Sequence, residues 1–140
     1  MVSEADPLPD SELLVVRYLS EALDGVATVG LVVPAGDDIS ELLPFVRVAR
    51  RGGPGDHRSR SDFPVFDFDV WDRTNTLANA IGGLTRGLVA AMRWHRDDEV
   101  HAIVTKVEES VGPQRLPEED PNLVRLGFSA GLTVRSLPTP

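Results

Sequence analysis

The chain has 140 residues, 41% apolar and 26% charged, with a net charge of −8 and no cysteine. That size fits one domain with one core, and the missing cysteine excludes disulfides and thiolate metal sites. No run of about 18 uncharged apolar residues predicts a membrane-spanning helix, and the acidic balance opposes nucleic-acid binding over most of the surface.

The charge is unevenly placed. Residues 1–45 carry −8, residues 46–62 carry +3, residues 63–96 carry +1 and residues 97–140 carry −4. The basic material is therefore concentrated in one segment with acidic chain on both sides. Thirteen arginines against a single lysine, Lys106, read mainly as compositional bias.

Residues 1–9 read as a flexible lead-in. They are acidic and Pro-containing and lack the basic and apolar regions of a signal peptide. Asp10 or Ser11 caps a first helix running to about Asp24, where Gly25 supplies the stop. Val15, Val16, Leu19, Ala22 and Leu23 form its apolar side.

Val26–Val33, short and β-branched, reads as a strand ended by Pro34-Ala-Gly-Asp-Asp38. Leu42–Arg50 is a second strand, with Val46 and Val48 on one face and Phe45, Arg47 and Ala49 on the other. Arg51–Asp62 has three glycines, one proline and no large apolar residue, and reads as a loop. Phe63–Asp72 alternates: Phe66, Phe68 and Val70 face one way, and Val65, Asp67, Asp69 and Trp71 the other.

Asp72 or Thr74 caps a second helix reaching to about Trp94. Leu77, Ile81, Leu84, Leu88 and Met92 are its expected core stripe. Beside them runs a row of small residues, Ala80, Gly83, Gly87 and Ala91. Each interior glycine costs about 1 kcal/mol against alanine, so the row implies close approach of another backbone, either the sheet or a neighbouring subunit.

His101–Val111 is a fourth strand, residues 112–121 a proline-containing loop, and Asn122–Ser136 the longest alternating run. Residues 137–140 are a tail. The spacing predicts an α+β fold in the order α-β-β-β-α-β-β. Two helices pack on a mainly antiparallel sheet of about five strands, in one domain over residues 10–136.

Catalytic motifs are weak. Asp67 and Asp69 share a strand face, as Mg²⁺-binding nuclease carboxylates do, but no ordered Glu-x-Lys follows, and a solvated or interface-facing acidic surface is the plainer reading. His95 and His101 flank a predicted turn at no zinc-motif spacing. The arginine segment with Arg50, Arg51, Arg58 and Arg60 lacks the Gly-Lys-Ser/Thr ending of a phosphate loop. It reads either as a solvated loop or as a docking element for an acidic protein surface, a second copy of this chain included. No serine sits in a Gly-x-Ser-x-Gly setting. Neither a catalytic residue, a metal site nor a cofactor is expected. Trp71 reads equally as an interface residue and as part of a second core layer.

Taken together, the N-terminal helix, the strand ending in Asp69-Val-Trp71-Asp, the helix with Ala78, Ala80 and Leu84–Val89, and the final strand with Arg125-Leu-Gly-Phe128 resemble tail terminator (tail completion, neck) proteins of long non-contractile-tailed phages. The resemblance covers most of residues 10–136. It implies a structural virion protein, not an enzyme. Such a protein forms a ring, a hexamer, that caps the tail tube, stops its polymerisation and meets the head connector.

The implied partners are further copies of itself, the major tail tube protein and a head-connector or head-completion protein. DNA passes through without specific binding, and no membrane is involved. The implied location is the neck of the virion, after assembly in the host cytoplasm. On this reading Arg50, Arg51, Arg58, Arg60, Trp71, Ala80, Gly83, Gly87 and Ala91 are expected at subunit or tube interfaces, and Asp67 and Asp69 on the lumen. The competing readings are a head-completion neck protein, a nucleic-acid-binding module using the arginines, and an Mg²⁺-dependent nuclease using the aspartates.

Overall fold

A computed structural model describes residues 7–138. Most of the expected lead-in and the last two residues of the tail lie outside the described residues. In chain order the elements are α1 (Ser11–Ala22), β1 (Thr28–Gly30), a 3₁₀ turn (Gly36–Glu41), β2 (Phe45–Arg50), β3 (Gly55–Asp56), β4 (Ser61–Asp62) and β5 (Val65–Asp72). Then follow α2 (Asn75–Ala90), β6 (Arg96–Asp97), β7 (Ala102–Leu116) and β8 (Val124–Ser136).

β5 occupies the middle of the sheet because it alternates strictly and both its edges are paired. β2 runs antiparallel on one side, Val46 opposite Val70 and Val48 opposite Phe68. β8 runs antiparallel on the other, Phe68 opposite Phe128 and Asp69 opposite Gly127. β1 extends the sheet beyond β2 in parallel register. β7 lies on the far edge of β8, with register shifts that curl it. The described residues thus form eight strands in a mixed sheet. The α+β class agrees with the sequence reading. The five-strand, mainly antiparallel description and the element order do not match in full.

The differences have local causes. Val26–Val33 forms a strand only at Thr28–Gly30, because the chain then turns toward the 3₁₀ segment. The supposed loop Arg51–Asp62 contains the β3–β4 hairpin, whose second strand pairs with the end of β8. Pairing along β8 carries β7 through Gly112 and Pro113, where composition had suggested a loop.

Both helices cover the face that presents Phe66, Phe68 and Val70. In α1, Asp10 accepts a hydrogen bond from the Leu13 N–H at 3.1 Å, and Gly25 ends the turn at φ +75°. Leu14, Val15, Leu19 and Leu23 are buried, whereas Ala22 is exposed.

In α2, Thr74 caps the Leu77 N–H at 3.2 Å, but the buried stripe is rotated from the expected one. Ala78, Gly82, Thr85, Val89 and Met92 face the sheet, while Leu77 and Leu84 remain 48% and 45% exposed. The cause is close packing. A Cβ on Gly82 would run into the Leu126 side chain, so the glycine face is the one able to approach the strands. Tyr18 on α1 donates to the Leu88 carbonyl at 2.7 Å and ties the helices together.

Candidate assembly surfaces

The outward face of β5 carries a polar network centred on Asp69, in which the Nε atoms of Arg47 and Arg125 are buried without a hydrogen-bond partner among the described residues. Asp69 is 2% exposed. Its carboxylate accepts from Arg47 on β2 and from Arg125 on β8, the latter at 3.0 Å. Gly127, opposite Asp69, leaves the room this needs, since a Cβ there would stand 2.8 Å from the carboxylate.

The two guanidinium groups also flank the Trp71 ring, with Cζ at 5.6 and 5.2 Å from its centroid. Such cation–π contacts contribute about 0.5–2 kcal/mol each. Trp71 itself is buried with Ile39 and Phe45 in a second small core, and its indole N–H donates to Glu118 at 2.7 Å. Of the two sequence readings of Trp71, the second core layer is the one realised.

Asp67, half-buried, accepts from Ser129 and lies 3.5 Å from Arg51. Two arginines therefore occupy the space beside Asp69 that a cation shared with Asp67 would need. Among the described residues, no group of three or more His, Asp or Glu side chains is placed to hold a metal ion.

The arginine segment divides into two roles. Arg50 grips Asp62 through both carboxylate oxygens at 2.8 Å and caps the Gly52 and Gly53 carbonyls at 3.0 and 3.1 Å. Ser11 donates to the same Asp62 at 2.6 Å, so the segment is fastened to the start of α1. Arg50 thus acts as a clamp within the chain. Arg51 and Arg58 are exposed and Arg60 half-buried. The turn is shaped by Asp56, which accepts from the Arg58 N–H and the Ser59 hydroxyl. Those bonds hold the Asp56 carboxyl below its ordinary range.

A cleft of about 650 Å³ lies between the second half of α1 and the β6 turn, lined by Arg17, Glu21, Asp24, His95, Asp97 and Glu99 among others. Burial raises the Asp97 carboxyl. Hydrogen bonds from Arg17 and from the Val100 and Glu99 N–H groups outweigh it and leave the group lowered.

The outward side of α2 is different in kind. Leu77, Ala80, Gly83, Leu84, Gly87 and Ala91 are all exposed, and a Cβ on Gly83 or Gly87 would meet nothing within 4 Å. The sheet therefore does not require these two glycines. Trp94, beyond the helix end, is 60% exposed with the Arg93 guanidinium carbon 4.9 Å from its ring centroid. Sequence reasoning found the small-residue row but assigned its two leucines to the core. Arg47, Arg125 and Glu118 were missed as partners of Asp69 and Trp71. The outward parity of Arg47 and Asp69 was readable, but the register joining them was not.

A family model described as phage tail termination protein matches residues 7–136, nearly the whole chain. The chain belongs to the phage tail termination family. None of the curated proteins compared matches it. Family membership gives the chain a structural, tail-terminating role among the components of a phage virion. No described helix is long and apolar enough to cross a membrane.

Proposed function

We propose that this tail termination protein closes into a ring, a hexamer on the family pattern, at the head-proximal end of the tail. There it caps the tube, ends its polymerisation and offers the surface on which the head connector docks. The work is done by repeated interfaces rather than by a reaction. The supporting observation is the outer side of α2, a helix face whose leucines and glycines the described residues leave exposed.

Ala80, Gly83, Gly87 and Ala91 are then subunit contacts, and Arg51, Arg58 and Arg60 contacts to a neighbour or the tube. Asp69, sealed between two arginines, is unsuited to line a lumen. Asp67 retains partial exposure and is the better candidate of the two.

Removal of the gene tests the reading. Overlong tails in electron micrographs are the expected result. Filled heads beside tails of normal length would instead assign the chain to head completion. DNA binding that weakens steeply with salt and with Arg51 and Arg58 replaced by alanine would favour a nucleic-acid module.

A further inference from the structure

Two runs of twelve residues are the longest stretches of the chain without a charged side chain, residues 25–36 and 74–85. Each contributes large apolar side chains to the surface. The first exposes Val26, Leu31 and Val32, the last at 79%, the most exposed large apolar residue described. The second exposes Leu77 and Leu84. They belong to different parts of the sheet. β1, within the first run, is the terminal strand beyond β2. α2, which carries the second, lies over β5, β7 and β8.

We infer that these two surfaces meet head to tail, the β1 edge of one copy seated on the outer side of α2 of the next. This rests on the ring reading above and names the contact that builds it. The charge distribution points to a second copy of the chain as the occupant. Each copy carries −8, so two copies that approach through most other faces bring acid against acid. The two uncharged runs escape that repulsion.

Shape points the same way. Val32 and Leu31 project from the β1 side, whereas α2 is cut back to glycine at 83 and 87, with open space where side chains would stand. Leu77 and Leu84 flank these glycines on the same exposed side of the helix. A contact between two different patches is heterologous, and heterologous contacts are the kind that close into rings.

The natural chain has no cysteine, which makes cross-linking specific. Val32→Cys and Ala80→Cys are made singly and together, and a short bis-maleimide is applied to the purified chain and to virions. The expected result is a ladder of cross-linked species from the double variant and none from either single one. Leu84→Glu in the double-cysteine background should abolish the ladder. Leu13→Glu, at an exposed leucine outside both patches, should leave it intact.

A cross-linked dimer from Ala80→Cys alone would mean that α2 faces itself, and overturns the inference. Multimeric protein that gives no ladder overturns the surface assignment and leaves the ring reading standing. A chain that is single-copy both in solution and in the virion overturns both.

Discussion

The outward face of β5 and the outward face of α2 are adjacent in sequence and opposite in character. The strand face is rich in charge, and nearly every charge there has a partner. Asp69 serves two arginines, both arginines flank Trp71, and Trp71 bonds Glu118. The helix face is almost free of charge, Leu77 and Leu84 on it are 48% and 45% exposed, and a Cβ on Gly83 or Gly87 would meet nothing within 4 Å. Polar residues on an outward strand parity suggested a binding surface, and leucines at helical spacing suggested core. The structure pairs Asp69 with two arginines of its own chain and leaves Leu77 and Leu84 exposed. Charges paired across neighbouring strands hold a fold together, whereas an apolar face that the described residues leave open has surface left to bury.

The largest effect should come from the network. Asp69→Ala leaves two half-buried arginines confronting each other and should cost about 3 kcal/mol in urea unfolding. Asp67→Ala should cost well under half as much. If the two variants were equally mild, the contrast between a structural strand face and an assembly helix face would fail.

Next is the contrast within α2 itself. Gly82→Val drives a side chain into Leu126 and should destabilise the fold by about 1–3 kcal/mol. Gly83→Ala and Gly87→Ala meet open space and should each stabilise the isolated chain by up to about 1 kcal/mol. On the head-to-tail reading, bulk at position 83 also weakens self-association, so stability and assembly should move in opposite directions. Thermal unfolding and sedimentation of the same variants decide this.

The smallest effect concerns pH. Asp97 has its folded pKa below the ordinary value, so its ion pair stabilises the fold above the unfolded pKa, and that contribution disappears as pH falls through the folded one. Asp97→Asn should therefore be less stable than the natural chain near neutrality, and the two should converge below about pH 4.

Much of the framework was legible before the structure. Alternation in Phe66-Asp-Phe-Asp-Val70 and in Val124–Val134 placed the two central strands and their inward faces. Asp10, Gly25 and Thr74 marked helix ends because caps act locally. The phase of α2 was not legible, since Leu77 and Leu84 satisfy helical spacing as well as Ala78 and Thr85 do. Closeness of approach at Gly82, a tertiary condition, decided it. The β3–β4 hairpin escaped because its pairing partner is β8, more than seventy residues later. The division of the arginines into a clamp at Arg50 and exposed groups beyond it depends on Asp62 and Ser11 meeting in space, which spacing alone does not encode.

The two uncharged runs have a consequence for solution conditions. Interfaces held by ion pairs loosen as salt is added. Here copies of a strongly acidic chain would join through surfaces without charge, and added salt would screen the mutual repulsion while leaving the apolar contact in place. Dilute buffer should keep the subunits apart, and rising ionic strength should draw them together.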